Sequence, residues 1–327
     1  MRDRIRPVGL TIVGANDGPP GAIMPPIRAD LFEDSDIVSI QSRAMAYLEA
    51  GAPVHFRGPA GAGKTTLALQ IAARVGRPVV LLTGDSALNS GDLVGREIGF
   101  ESETTRDQFI HSVVKTKAKT CAAWADSALT SAMQHGCTLI YDEFTRAPAE
   151  TNNALLSALE ERILVIASPA RQERCVVAHE QFGAIFTSNP EDYAGVNAAP
   201  DALFDRMITF DLSWRSEASE AGIVAIRSGL DLQFVQPVVR LIRALRCCQA
   251  GVAQASLRAG ILICRIMAAH NILPSVSDER FVQLCFDVLE TRAPVRDGED
   301  QQSAYAAELR RQIIMACSTE KKKAATA

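Results

Sequence analysis

The sequence lacks the features that mark membrane-spanning, secreted and zinc-binding proteins. No uninterrupted apolar stretch is long enough to cross a bilayer, and the best candidate, Gly260–Ala269, is short and contains Arg265. The N-terminus, MRDRIRPVGL, carries charges and a proline where a signal peptide needs an apolar core. The eight cysteines form no CxxC pair and no histidine stands at a zinc-ligand spacing, so we expect reduced, structural thiols. These absences favour a cytoplasmic protein that has no membrane as a partner.

Positive charge is also too sparse to indicate a protein devoted to nucleic acid. The net charge is -4 and the pI is near 5.8, and the sequence shows neither a basic stripe nor a helix-turn-helix pattern. The lysine run near the C-terminus is more typical of a solvated tail than of a binding patch. We therefore predict that nucleic acid is not a partner.

The sequence does contain short apolar runs that alternate with helical patterns. The five runs are Pro53–Arg57, Pro78–Thr83, Cys137–Asp142, Gly183–Ser188 and Met207–Leu212. Short apolar runs without polar interruption are typical of strands covered on both faces, and their alternation with helices indicates the α/β class. We predict an α/β domain over residues 31–214, with a parallel five-stranded sheet flanked by helices.

The two ends of the chain differ from this domain. Residues 1–30 are rich in turn residues and have no hydrophobic period, which predicts a flexible N-terminal arm. Residues 215–317 contain five helical patterns without a strand-like run between them, which predicts a second, all-helical domain. Residues 318–327 are predicted to form a disordered tail.

A glycine-rich segment, GPAGAGKT, matches the phosphate-binding pattern G-x-x-x-x-G-K-[ST]. Glycines let the backbone N–H groups wrap a phosphate, Lys64 can reach the β- and γ-phosphates of ATP, and the Thr65 hydroxyl can bind Mg²⁺. The alternative is a glycine-rich turn without a ligand, but a predicted strand precedes the segment and a predicted helix follows it, which favours a nucleotide. The predicted nucleotide-contacting residues of this segment are Gly58, Pro59, Ala60, Gly61, Ala62, Gly63, Lys64, Thr65 and Thr66.

Polar residues follow two of the other apolar runs. Asp142 and Glu143 end the run TLIYDE, where Asp142 could hold Mg²⁺ and Glu143 could orient or deprotonate an attacking water. Asn189 ends the run in FTSNP, where its amide could bond the water or the γ-phosphate. Taken alone, an acidic pair after a strand is more often a helix N-cap and Asn-Pro is more often a turn, so the catalytic interpretation depends on the phosphate loop.

Two arginines are candidates to stabilise the charge that develops on the γ-phosphate. Arg206 lies in DALFDRM, and Arg258 lies near the start of a helical pattern in the second domain. From the residues alone, a surface salt bridge is the more common role for either arginine.

The order of these motifs resembles that of the AAA+ ATPases. The segment FTRAPAETNNALLSALEERIL resembles the MoxR branch, including the hairpin that follows its LEER helix. Within that branch, RGPAGAGKTTLA, GRPVVLLTGD, TLIYDEFTR and DALFDRMITFDL resemble the GvpN family of gas vesicle proteins. The segments FIHSVVKT and NPEDYAGV are the ones most specific to that family, and the resemblance covers roughly residues 31–230.

The resemblance implies roles that spacing alone does not give. Asn189 corresponds to sensor 1, Arg258 to sensor 2 of a helical lid domain, and Arg206 to an arginine finger that acts on the neighbouring subunit, with Arg146 as the reserve candidate. A finger that acts across an interface implies a homo-oligomeric ring, for which six subunits are expected. Residues 91–125 and 163–180 are expected to face the ring pore. Trp124 could contact a client there, although a tryptophan at helical spacing more often belongs to a core.

The function that the resemblance implies is Mg-ATP hydrolysis that supports gas vesicle assembly or enlargement by remodelling a protein client. Gas vesicle structural or accessory proteins would be the partners, at vesicles in the cytoplasm. The alternative is a MoxR-like chaperone ATPase that activates a metalloenzyme or Rubisco. A third possibility is an adaptor that binds ATP but barely hydrolyses it, which Glu143, Asn189 and Arg206 argue against.

Overall fold

The computed structural model describes residues 11–12, 19–107, 115–168, 171–190, 201–247, 255–290 and 299–324. The chain divides into two compact units. The first unit comprises Met1–Ile27, Val38–Pro59 and Gly63–Leu212, and the second comprises Arg28–Ile37, Ala60–Ala62 and Ser213–Ala327. Both units are therefore assembled from separated pieces of the sequence.

The strands of the described residues lie in the first unit and form one large sheet and two hairpins. In chain order they are β1 Thr11–Ile12, β2 Ile23–Met24, β3 Val54–Arg57, β4 Val79–Thr83, β5 Gly95–Asp107, β6 Lys115–Asp126, β7 Thr138–Asp142, β8 Ile163–Ser168, β9 Arg171–Val177, β10 Gly183–Ser188 and β11 Ile208–Asp211. The large sheet has the order β1-β2-β4-β7-β10-β3-β11, and its last five strands are parallel neighbours. These five are the strands predicted from the apolar runs, so the α/β prediction is confirmed.

The helices are α1 Ser35–Glu49, α2 Lys64–Val75, α3 Ser90–Leu93, α4 Ala128–His135, α5 Ala149–Asn152, α6 Ala154–Glu160, α7 Asp201–Phe204, α8 Glu217–Ser228, α9 Leu232–Cys247, α10 Leu257–His270, α11 Glu279–Glu290 and α12 Glu299–Ala324. A 3₁₀ turn covers Phe144–Arg146. None of the described helices is both long and apolar enough to cross a membrane.

The large sheet extends further than the sequence predicts, because the N-terminal region contributes to it. Described parts of the predicted flexible arm form β1 and β2, and Ile23 of β2 pairs antiparallel with Val79 at the edge of β4. Ala22 beside this strand is fully buried. The prediction of a loose arm is therefore wrong for these residues. Strands of two residues are too short to show a hydrophobic period, and pairing with an existing edge stabilises them.

Two antiparallel hairpins occupy the segments expected to face a ring pore. The first, β5–β6, contains Trp124 on a strand rather than at the predicted helical spacing, and the Trp124 indole N–H donates to Asp126 at 2.9 Å. The second, β8–β9, is the hairpin predicted after the LEER helix. Arg174 of β9 donates to the same Asp126 carboxylate at 3.0 Å, so one side chain joins the bases of both hairpins. Most of FIHSVVKT lies outside the described residues.

The second unit consists of the five predicted helices, α8 to α12, around their own apolar core. Fully buried residues of this core include Val235, Val238 and Ile242 on α9 and Ile263 on α10. Helix α12 continues to Ala324, so the prediction of a disordered tail from residue 318 is wrong for its first seven residues. Glutamate, lysine and alanine, which occupy positions 320–324, are strong helix formers and favour continuation of the helix.

A short N-terminal segment belongs to this second unit. The ring of Phe32 packs on Gly222 of α8, where an added Cβ would lie 2.3 Å from the ring. Asp30 pairs with Arg227 at 3.1 Å, and Asp34 lies 3.7 Å from Arg215. Aromatic packing and opposite charges therefore hold residues 28–37 against the helices.

Candidate functional site

The candidate site lies where the carboxyl ends of three parallel strands meet. In the sheet order β7-β10-β3, Asp142 ends β7, Ser188 ends β10 and Arg57 ends β3. The chain leaves β3 through the glycine-rich loop and enters α2 at Lys64. The structure thus places the loop and the acidic pair at one edge of the sheet, where open α/β sheets bind ligands.

The loop has the backbone conformation that its glycines permit. Gly61 and Gly63 have φ angles of 85° and 89°, in the left-handed region that side-chain-bearing residues rarely adopt. Gly63 immediately precedes α2, and the first backbone N–H groups of a helix have no acceptor in their own helix and can bind an anion. Loop and helix together have the geometry of a phosphate-binding cradle.

Lys64 is folded over this loop. Its side chain is only 8 % exposed, and its ammonium group donates to the carbonyl oxygens of Gly58 at 2.8 Å and Pro59 at 2.9 Å. These bonds hold a positive charge at the loop, where a phosphate would be bound.

The oxygen atoms of Thr65 and Asp142 converge beside the loop. The Thr65 hydroxyl donates to both carboxylate oxygens of Asp142, at 2.7 and 2.9 Å. A hydroxyl and a carboxylate are hard oxygen ligands of the kind that Mg²⁺ takes, with substrate phosphates and water completing its shell. The donor set present therefore fits a magnesium ion bound together with a nucleotide.

Glu143 follows Asp142 in an unusual backbone conformation, with φ 53° and ψ 39°. Its backbone N–H donates to the hydroxyl of Thr187 at 2.9 Å, and its carboxylate pairs with Arg146 at 2.7 Å. Gly84 leaves room for this turn, because a Cβ at Gly84 would lie 2.2 Å from the Glu143 carbonyl oxygen. The strand ends of β4, β7 and β10 thus all contribute to the orientation of Glu143.

The remaining predicted residues are distributed differently. Asn189 follows β10 directly and is buried, with 7 % of its surface exposed, at the same sheet edge. Arg206 donates to Glu160 at 2.8 Å and to the Ala202 carbonyl at 2.7 Å, on the surface of the first unit. Arg258 lies in the first turn of α10, in the second unit, and is exposed. Most of NPEDYAGV lies outside the described residues. The structure therefore brings together Lys64, Thr65, Asp142 and Glu143, and it gives Arg206 a different partner.

His55 is a buried residue beneath the loop that the sequence interpretation did not identify. Its imidazole bridges two neighbouring strands, at 2.9 Å from the Ser188 hydroxyl and 3.0 Å from the Thr209 hydroxyl. Burial, with a further contribution from the positive charge of Arg57, lowers the pKa of His55 from 6.5 to about 4. In the sequence, the feature that could have indicated this residue is a histidine within the otherwise apolar run VHF. His55 is thus a neutral tie between β3, β10 and β11.

We expect His55 to make the first unit sensitive to acid. The unfolded chain binds a proton to this histidine near pH 6.5, whereas the folded chain resists protonation until about pH 4. The contribution of neutral His55 to the free energy of unfolding is therefore fully present above pH 6.5. It is lost as the pH falls from 6.5 to about 4, by about 3 kcal/mol in total. Urea unfolding of the wild type and of His55→Gln across this range will test this. The variant should have the shallower pH dependence, and equal slopes would contradict the assignment.

Comparison with known proteins agrees with the site. The family model for the AAA domain (dynein-related subfamily) matches residues 53–207. A variant of RuvB from Thermotoga maritima has the same fold, with a TM-score of 0.50 and 15 % identity, over 81 % of this chain and 72 % of that chain. The fold, the phosphate loop and the acidic strand end define an AAA+ ATPase.

Two relatives identify the family within this class. The gas vesicle ATPase GvpN of Ancylobacter aquaticus is 42 % identical over 297 residues, which cover 91 % of this chain and 82 % of the relative. The gas vesicle ATPase GvpN of Haloferax mediterranei is 38 % identical over 68 % of this chain and 64 % of its own length. The chain belongs to the GvpN family, in the MoxR branch of AAA+ ATPases.

Proposed function

We propose that this chain is a magnesium-dependent ring ATPase that supports the assembly or enlargement of gas vesicles by remodelling a protein client. The observation that carries the proposal is the acidic pair Asp142 and Glu143, held beside a phosphate loop in a member of the GvpN family. Binding without hydrolysis needs no Glu143, so this pair favours an enzyme over a nucleotide-gated adaptor.

The proposed division of labour follows from the contacts of each residue. Lys64 exchanges the Gly58 and Pro59 carbonyls for the β- and γ-phosphates, which gives its charge an anionic partner. Thr65 and Asp142 hold Mg²⁺, which when bound offsets the negative charge of the phosphates. The rest of the loop, Gly58 to Thr66, supplies backbone N–H groups.

Glu143 is proposed to orient and deprotonate the attacking water. Its carboxylate is paired with Arg146 and is about one-third exposed, so this ion pair can open without a large change in burial. Asn189, at the adjacent strand end, is proposed to bond the water or the γ-phosphate as sensor 1. Its neutral amide adds no negative charge near the phosphates.

The arginines motivate the oligomer. Arg206 lies on the surface, where a neighbouring subunit could receive it as a finger, and Arg258 is the proposed sensor 2 of its own subunit. A site that needs Arg206 from another copy is incomplete in the monomer. We therefore propose a homo-oligomeric ring, with six subunits as the expected number.

The hairpin β8–β9 offers a surface suited to a protein client. Its outer face presents Val165 and Val177, which are 59 % and 68 % exposed, while Leu164 and Val176 on the other face are buried. Exposed apolar side chains that lie on one face of a hairpin can contact another protein. We propose that gas vesicle structural or accessory proteins are contacted here, at vesicles in the cytoplasm, with neither nucleic acid nor a membrane as a partner.

Replacing Lys64 with alanine in vesicle-forming cells will test the function. We expect no ATP hydrolysis and absent or stunted vesicles, because the phosphates lose their cation. Arg280→Ala, which removes an exposed charge paired with Asp278, is the matched control and should leave vesicles normal. Normal vesicles with Lys64→Ala would refute the proposal. Co-purification of a metalloenzyme or Rubisco with a Glu143→Gln chain in ATP would instead support the chaperone alternative.

A further inference from the structure

A single hydroxyl connects the two acidic residues of the site. Thr187 is the second-last residue of strand β10, directly before Ser188, and it is fully buried. Its hydroxyl donates a short hydrogen bond to Asp142 Oδ1 and accepts the backbone N–H of Glu143 at 2.9 Å. One hydroxyl has one hydrogen and two lone pairs, so both bonds can be made at the same time.

The bond from Thr187 holds one of the two carboxylate oxygens of Asp142. Oδ1 accepts from both Thr187 and Thr65, whereas Oδ2 accepts from Thr65 alone at 2.9 Å. If the Thr65 hydroxyl were to bind a metal ion instead of Asp142, the bond from Thr187 would still hold Oδ1 in place. Asp142 would thus keep one orientation while its carboxylate contributes to the metal site.

The bond to Glu143 acts on the backbone. Glu143 has a left-handed conformation with φ 53°, which side-chain-bearing residues adopt only when their surroundings enforce it. The backbone N–H of Glu143 donates to the Thr187 hydroxyl, and the carbonyl oxygen of Glu143 accepts the N–H of Arg146 at 2.9 Å. Because this peptide sets the direction of the side chain, the hydroxyl of Thr187 also sets where the carboxylate projects.

We propose that Thr187 is a positioning residue that couples the metal-binding carboxylate of Asp142 to the placement of Glu143. The proposal rests on the function given above for those two acids, and it adds a residue that touches neither the substrate nor the metal. A movement of the Asp142 carboxylate would be passed through the Thr187 hydroxyl to the backbone of Glu143. Metal binding and water activation are therefore linked in one subunit.

Thr187→Val tests this coupling, because valine keeps the shape and removes both bonds. Loss of a hydrogen bond to a charged group predicts that kcat falls roughly 10- to 100-fold and that the Mg²⁺ concentration for half-maximal activity rises roughly 10-fold. Binding of a fluorescent ATP analogue without Mg²⁺ should be unchanged, because the phosphate loop is intact. With Mg²⁺, the analogue should bind more weakly than to the wild type. Thr187→Ser, which keeps the hydroxyl, should restore both parameters to within roughly threefold of the wild type.

Thr209→Val is the matched control, since it removes a strand hydroxyl that bonds His55 and neither acid. It should leave the Mg²⁺ dependence unchanged. If Thr187→Val does not fold, Thr187→Cys provides the same comparison with a weak thiol donor. Wild-type Mg²⁺ dependence in the folded Val or Cys variant would overturn the coupling, as would a lower kcat alone or a loss of metal-free binding. An inactive wild-type chain would instead refute the proposed function.

Discussion

Replacing Arg206 with alanine is expected to lower the ATP turnover of the assembled protein by roughly 10³-fold or more, while nucleotide binding is kept. A guanidinium that reaches the γ-phosphate from a neighbouring subunit stabilises charge only during transfer, so its loss acts on kcat. In the subunit itself, Arg206 is held by Glu160 and Ala202. If that surface contact were its whole role, the change would cost less than about 1 kcal/mol of stability and would not affect turnover.

Two further variants separate these outcomes. Glu160→Gln weakens the same ion pair but keeps Arg206, so it should retain turnover. Mixing Arg206→Ala with Glu143→Gln should recover activity, because a subunit with an intact Glu143 can then receive Arg206 from its neighbour. No recovery in stable mixed assemblies would mean that Arg206 does not act across the interface. Arg146→Ala would then be tested in the same mixture.

Replacing Glu143 with glutamine is expected to reduce turnover by roughly 10²- to 10⁴-fold, the range of a general base. Glutamine keeps the length of the side chain but cannot accept the proton of the attacking water. ATP and Mg²⁺ should still bind, because Lys64, Thr65 and Asp142 are unchanged. Single-turnover hydrolysis and equilibrium binding of a fluorescent ATP analogue will measure the two effects separately.

The loss of the Arg146 ion pair should affect stability little, because both side chains are at least one-third exposed. Glu150→Gln, an exposed carboxylate in α5, is the matched control and should turn over normally. A Glu143→Gln chain that keeps more than about one-tenth of the wild-type rate would contradict the role of general base.

The sequence was sufficient to predict the elements whose pattern is local. The five parallel strands and the helix that begins at Lys64 follow from continuous apolar runs and from glycine positions. The strand β2 was not predictable in this way, because it is held by the pairing of Ile23 with Val79 of β4 rather than by a hydrophobic period of its own. Trp124 was placed at helical spacing, but it pairs with Glu97 across the hairpin β5–β6.

For the site, the sequence predicted the side chains that carry the chemistry but not those that hold them. Thr187 is 45 residues from Asp142, and a threonine near a strand end has no distinctive pattern. The role of Arg206 depends on which surfaces meet in an assembly, which the spacing of residues within one chain does not encode, and the role of Arg258 comes from the resemblance alone. Their roles therefore stay predictions, whereas the arrangement of Lys64, Thr65, Asp142 and Glu143 is a property of the folded subunit.

The discontinuous second unit has a consequence for synthesis on the ribosome. Phe32 packs on Gly222, so its binding surface is made about 190 residues after the ring itself. At ordinary elongation rates of about 5 to 20 residues per second, this interval is roughly 10 to 40 s. During that time an apolar ring stands without its partner while the first unit is completed. We therefore expect the segment around Phe32 to be a chaperone-binding site on the nascent chain until helix α8 emerges.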